Sequence, residues 1–206
     1  MKTILVASTN PGKLGELRAM LDADVDWVGL SDFPGVPEVE EDGATFAENA
    51  RKKASEYAKA TGVWTIADDS GLVVDALDGA PGVKSARFSG EKLLGEERTL
   101  LDHRNMKKVL KLLEGVPAEK RTARFVCCLC LASAKEVLLE TTGKVEGVIT
   151  DREIGSNGFG YDPIVFVPKL DKTVAQMTPE EKNSISHRGN AIRKLKPLLD
   201  ELLGRG

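Results

Sequence analysis

Short apolar runs alternate with amphipathic ones from the first residues onward, a pattern that belongs to α/β proteins. Residues 3 to 8 read as a buried strand. A turn at Thr9-Asn10-Pro11-Gly12 leads into a helix with Leu14, Leu17 and Leu21 on one face. Val25 to Leu30 reads as a second short strand, and the proline, glycine and acid-rich stretch from 31 to 43 as a loop. Thr45-Phe46-Ala47-Glu48 matches a capping box. It predicts a helix to about Thr61, with Phe46, Ala50, Ala54 and Tyr57 buried and Gly62 ending it.

A strand at Val63 to Ala67 is expected to end at Asp68-Asp69-Ser70-Gly71, with Leu72 to Val74 a candidate continuation. Residues 77 to 90 read as a loop and 95 to 114 as a long helix with Leu101, Val109, Leu110 and Leu113 in the core. Thr122 to Ser133 and Glu136 to Thr150 read as a long hairpin. A glycine loop, Gly155 to Tyr161, precedes a strand at Pro163 to Val167. Thr178-Pro179-Glu180-Glu181 opens a helix, and a last helix runs from about Arg188 to Leu203. Nothing splits the chain, so residues 1–206 are expected to form a single domain.

Charge and composition narrow the function. The 206 residues carry 32 acids against 29 lysines and arginines, a net charge of −3. That speaks against a protein that coats a nucleic-acid backbone, although a local basic cluster can still hold a small anion. Phe125 to Ala134, the longest nearly apolar stretch, is about half of what spans a bilayer. Cys127, Cys128 and Cys130 are odd in number and crowded together. They suit buried thiols in a reducing, cytoplasmic setting better than a disulfide framework.

Four stretches could carry chemistry. Ser8-Thr9-Asn10-Pro11-Gly12-Lys13 sits where backbone N–H groups at a helix start attract phosphate, or it is an ordinary turn. It is not a Walker A loop, because Ala7 and Leu14 replace the required Gly and hydroxyl. Asp68 and Asp69, with Glu40 and Glu41 in the acidic loop, offer oxygen ligands of the kind Mg²⁺ takes; otherwise Asp68 to Gly71 is a capped turn. Gly158-Phe159-Gly160-Tyr161-Asp162-Pro163 could stack an aromatic on a nucleobase or simply turn the chain. Lys182, His187 and Arg188 put donors near the start of the last helix, or they are solvated.

Together these motifs resemble the inosine triphosphatase family, pyrophosphatases of purine nucleoside triphosphates with non-standard bases. The resemblance adds Thr45-Phe46-Ala47-Glu48-Asn49-Ala50 with Lys53-Ala54, Gly79-Ala80-Pro81-Gly82-Val83 with Ser85-Ala86-Arg87, and Ser186-His187-Arg188. It covers nearly the whole chain. It implies an elongated α/β fold, a long twisted mixed β-sheet with two lobes around a central cleft. It also implies hydrolysis of dITP, ITP and XTP to the monophosphate and pyrophosphate, with Mg²⁺, by a homodimer.

Carried over, Asp69 is the proton acceptor and a metal ligand, with Glu40 or Glu41 the second metal carboxylate. Lys13, Lys53 and the loop from Ser8 through Thr9, Asn10, Pro11 and Gly12 hold phosphates. Phe159, Gly160, Tyr161, Asp162, Lys182, His187 and Arg188 contact base and sugar, with Ser70 nearby. Arg188, which has only donors, is expected to read the purine 6-carbonyl. No nucleic acid or membrane partner is implied. A pyrophosphatase for other bases is the alternative enzyme; a non-catalytic binding module would leave Asp68-Asp69 and Glu40-Glu41 without a task.

Overall fold

The computed structural model describes residues 1–8, 17, 20–21, 23–91 and 97–204. Seven strands form one mixed sheet in the order β2-β1-β3-β4-β5-β6-β7. They are β1 Thr3–Val6, β2 Asp26–Gly29, β3 Trp64–Val74, β4 Thr122–Ala132, β5 Val137–Ile149, β6 Val165–Val167 and β7 Lys172–Thr173. β1 pairs in parallel with β2 and β3, an arrangement that tight two-residue turns cannot make. β5, β6 and β7 pair antiparallel. Besides the helical residues Leu17, Met20 and Leu21, four α-helices have described bounds: α1 Phe46–Thr61, α2 Arg98–Leu112, α3 Pro179–Ile185 and α4 His187–Leu202.

The chain divides into two compact units: Met1–Asp69, Cys127–Gly143 and His187–Gly206 in one, Ser70–Val126 and Lys144–Ser186 in the other. β3, β4 and β5 each contribute to both, and the boundary in β3 falls between Asp69 and Ser70. The first unit's core gathers Ile4, Val6 and Ile66 with Cys127, Leu129 and Leu131, and with Ala191, Ile192 and Leu195 of α4. The second unit's core gathers Leu72 and Val74 with Val109, Leu113, Phe125, Tyr161 and Ile164. All three cysteines are buried thiols outside any disulfide, as their place in an apolar strand predicts.

Several sequence expectations are corrected. Asp68 to Gly71 does not follow a strand end; it lies inside the eleven-residue β3. Thr45 caps α1 by accepting the Glu48 N–H at 3.1 Å, but the Glu48 carboxylate accepts from the Ala44 N–H at 2.7 Å, so the box is displaced by one residue. The reciprocal box does form at α3, between Thr178 and Glu181. Asp162–Ile164 is a 3₁₀ turn, which Pro163 favours through its fixed φ, and β6 starts only at Val165. The two-residue β7 was not anticipated. In the first predicted helix, Leu17, Met20 and Leu21 are helical, and Leu17 and Leu21 are buried; Leu14 lies outside the described residues.

Two glycines allow close approaches that place functional segments. At Gly71 a Cβ would run into Ser85 and the Gly82 carbonyl oxygen. At Gly143 of β5 it would run into the His187 oxygen and the Ala191 nitrogen, backbone atoms of α4 that cannot rotate aside. Gly143→Ala should therefore push the first turn of α4 off β5 and destabilise the protein by about 1–3 kcal/mol. Thermal unfolding checks this, with a fall of several degrees expected; an unchanged midpoint would count against the close packing.

Candidate active site

The first unit places two carboxylates inside the sheet. Consecutive strand residues face opposite ways, so Asp68 and Asp69, both buried, part to the two faces of β3 rather than crowding one rim. Asp68 shares its face with Ile66, which packs on α4. There the Arg188 Nη2 lies 3.4 Å from the Asp68 Oδ2, a pair with both side chains buried. Removing one member of such a pair leaves an uncompensated charge, at a cost of about 3–5 kcal/mol.

Asp69 faces α1. The Asn49 Nδ2 donates to its Oδ2 at 2.9 Å, while the Asn49 Oδ1 accepts the Gly43 N–H at 2.7 Å. One buried amide thus ties the acidic loop to the strand carboxylate. One turn on from Asn49, the Lys53 ammonium donates to the Asp68 carbonyl at 2.6 Å and to the Glu41 Oε1 at 3.0 Å. Burial pushes the Asp69 carboxyl up to about 6. The Asn49 hydrogen bond and Lys53 pull against that rise, while the nearby Glu41 and Asp68 add to it. A carboxylate kept this dry, with like charges near it, is the pattern of a functional acid rather than a structural one.

Glu41 is half-buried and electrostatically coupled to Asp69, whereas Glu40 is exposed and sensed by Lys52. Of the two neighbours, geometry brings Glu41 to the site. Among the described residues, no three His, Cys, Asp or Glu side chains already form a metal-binding group. The donor set nonetheless suits a hard divalent cation. It is all oxygen, its carboxylates repel each other, and water or phosphate oxygens can complete the shell, as Mg²⁺ habitually requires. Of the phosphate-loop residues, Ser8 is half-buried after β1, and Thr9, Asn10, Pro11, Gly12 and Lys13 lie outside the described residues.

The second unit holds the glycine loop. Phe159 is 51% exposed, and the Lys182 ammonium sits 4.4 Å from the centre of its ring. Lys182 also donates to the Asp162 Oδ2 at 2.7 Å, and that same oxygen accepts the Phe159 N–H at 3.0 Å. Asp162 thus fastens the lysine and the aromatic together. Of the two aromatics in the loop, Tyr161 is not the one offered for stacking. Its side chain is in the core and its hydroxyl donates to the Ser85 carbonyl at 2.8 Å, so burial holds that phenol well above its usual pKa. Ser70 is half-buried in β3, and His187, half-buried, opens α4.

The pairing of Asp68 with Arg188 and the buried amide of Asn49 are not apparent from the motifs that contain them, and Asp102 and Asn105 lie outside every motif. The available signal was a polar residue within an otherwise apolar helical stripe, which is uncommon unless it is paired. Asn49 sits between Phe46, Ala50 and Ala54; Asp102 and Asn105 sit between Leu101, Met106 and Val109.

Comparison with known proteins points one way. The profile of the Ham1 family matches residues 4–198. A dITP/XTP pyrophosphatase of Listeria monocytogenes is 47% identical over 98% of this chain and 97% of its own length. One from Geobacter sulfurreducens is 50% identical over 95% of this chain and 96% of its own. Among solved structures, a HAM1 protein from Coxiella burnetii matches with a TM-score of 0.89 at 41% identity, covering 98% of this chain and 100% of that one. The Staphylococcus aureus Ham1 protein gives 0.87 at 42% identity, with coverage of 98% and 100%.

The raised Asp69 carboxyl has a consequence for stability. Its folded value, about 6, exceeds the ordinary 3.8. Between those two values the native chain binds more protons than the unfolded one, so stability falls as pH rises through that window. Above pH 6 the ionised side chain costs on the order of 2–3 kcal/mol. Asp69→Asn should therefore raise the melting temperature of the metal-free protein by several degrees near pH 7.5, with the gain vanishing toward pH 4. Calorimetry at both pH values checks this; equal or lower stability of the variant at pH 7.5 would contradict it.

Proposed function

This chain belongs to the Ham1 family, and we propose that it hydrolyses dITP, ITP and XTP to the nucleoside monophosphate and pyrophosphate, keeping these bases out of DNA and RNA. The observation that carries the reading is Asp69, a buried carboxylate in mid-strand, held by Asn49 beside the Lys53 ammonium. The dITP/XTP pyrophosphatases to which the chain is 47–50% identical support it.

The roles follow from side-chain chemistry. A carboxyl with its pKa near 6 is ionised at neutral pH yet basic enough to accept a proton. Asp69 takes the proton of a water that attacks the α-phosphorus, and pyrophosphate leaves. Asp69 and Glu41 are the carboxylates that would hold Mg²⁺, which when bound neutralises phosphate charge. Lys53 adds a point charge for phosphate, joined by the loop from Ser8 to Lys13. Phe159 supplies a stacking face, with Lys182 and Asp162 as its polar companions, and Tyr161 contributes backbone only. His187, Arg188 and Ser70 keep the base and sugar contacts that the family resemblance implies. The reading includes a cytoplasmic homodimer that needs neither nucleic acid nor membrane. The three buried cysteines, none in a disulfide, suit a reducing compartment, and no helix among the described residues is long and apolar enough to cross a membrane.

With ITP and Mg²⁺ in ¹⁸O-water, the label should appear in IMP, released together with pyrophosphate. A chelator should abolish turnover, and Asp69→Asn should cost about 10²- to 10⁴-fold. Orthophosphate released with IDP, or near-normal turnover of the folded variant, would overturn the assignment.

Selectivity gives a separate test. Hypoxanthine and xanthine carry a carbonyl at purine position 6, which accepts from a guanidinium; adenine carries an amine, which does not. Arg188→Ala should lower kcat/KM for ITP far more than for ATP, while rejection of GTP, which shares the 6-carbonyl, changes less. Because Arg188 also partners Asp68, the variant will lose stability. The ITP-to-ATP ratio is independent of how much protein is folded, and a ratio equal to wild type would move base reading to other residues.

A further inference from the structure

The loop that presents Phe159 is anchored from α2 directly by Asp102 and, through the segment from Ser85 to Ser89, by Asn105 one turn on. Asp102 is buried although it is ionisable. Its Oδ1 accepts from the Arg98 Nε at 3.0 Å and its Oδ2 accepts the Gly160 N–H at 3.0 Å. Gly160 has φ +63°, the left-handed region that a side chain would strain. Asn105, three residues on, accepts the Ser89 N–H at 2.7 Å and donates to the carbonyls of Ser85 and Ala86 at 3.4 and 3.3 Å. The Ser85 carbonyl is also the acceptor for the Tyr161 hydroxyl.

Three successive loop residues therefore have three different fates. Phe159 is exposed, Gly160 is tied by its backbone to a carboxylate on α2, and Tyr161 is sunk into the core and bonded to the segment that Asn105 holds. The loop's internal bonds, from the Phe159 N–H to Asp162 and from the Asp162 N–H to the Phe159 carbonyl, close the turn upon itself. The ties at Gly160 and Tyr161 attach it to the rest of the second unit.

We infer that Asp102, supported by Asn105, is a positioning residue for purine binding: it holds Gly160 so that Phe159 is presented in one orientation. The inference rests on the reading of the 158–163 loop as the purine-binding loop. A stacking ring on an unanchored loop must be ordered at the moment of binding, and that cost falls on affinity. The bond is charge-assisted, the stronger kind. Arg98, whose side chain is 61% exposed, balances the carboxylate from the solvent side and can be replaced without releasing the loop.

The test separates affinity from chemistry. Asp102→Ala should raise KM for ITP about tenfold, the effect of losing one charged hydrogen bond, with kcat within about threefold of wild type. Asp102→Asn keeps an oxygen for the Gly160 N–H and should restore KM to within about threefold of wild type, and Arg98→Gln should leave it unchanged. Amide exchange read by ¹⁵N NMR gives a measure independent of turnover: the Gly160 proton should be protected in wild type and Asp102→Asn, and exposed in Asp102→Ala. If Asp102→Ala fails to fold, Asn105→Ser carries the same expectation at about threefold in KM. A wild-type KM in a folded Asp102→Ala, or in Asn105→Ser where that substitution stands in for it, overturns the inference. A wild-type protein that does not convert ITP to IMP and pyrophosphate overturns the functional reading instead, while the Gly160 exchange data still decide whether Asp102 anchors the loop.

Discussion

The structure depends most on keeping the Asp69 carboxylate nearly dry in the middle of a strand. A carboxylate at the surface would be solvated, have its ordinary pKa and be a weak base at neutral pH. At 7% exposure it resists ionisation, and the fold must counter that resistance with placed partners. Asn49 supplies one donor, Lys53 supplies positive charge, and Arg188 pairs with the other acid, Asp68, on the opposite face. The pleat of β3 makes the separation possible, because adjacent residues in a strand cannot share a face. Arg188 comes from α4, whose Ala191, Ile192 and Leu195 pack with strand residues, and Asn49 and Lys53 come from α1 beside the buried Ala50 and Ala54.

The second unit applies the same principle to a different task. There a glycine loop with little regular structure of its own is held by buried polar groups: Asp102, Asn105, the Tyr161 hydroxyl and the Ser85 carbonyl. Ser85 also reaches back to β3. Its Oγ accepts the Leu72 N–H at 2.9 Å, directly beyond Gly71, where a side chain would not fit. The loop and the strand that continues from Asp69 are thus fixed by one small segment, a motif visible in sequence as Ser85-Ala86-Arg87.

Local chemistry made much of this legible. Thr45, Thr178 and Pro179 mark helix starts because capping is a property of a few adjacent residues, and α1 and α3 begin where they direct. Alternating apolar runs identify β1, β4 and β5. Leu72 to Val74 could be read as a continuation of the strand, but the unbroken run of β3 through Asp68 to Gly71 was not legible, since Asp, Ser and Gly are turn formers; contacts with Asn49, Lys53, Ser85 and Arg188 help hold them in the strand. The two-residue β7 is too short to carry a pattern. At the site, the acids, Lys53 and the Phe159 loop could be named from sequence. The nearness of Glu41 rather than Glu40 to Asp69, the burial of Tyr161, and the holding roles of Asn49 and Asp102 depend on contacts 12 to 76 residues apart along the chain.

The most direct measurement of the central claim is a titration of the Asp69 side-chain carboxyl itself, followed by ¹³C NMR in the metal-free protein. The account predicts a midpoint near 6, set by burial and only partly offset by Asn49 and Lys53. A midpoint near the ordinary 3.8 would mean that the carboxylate is solvated, and would contradict the account.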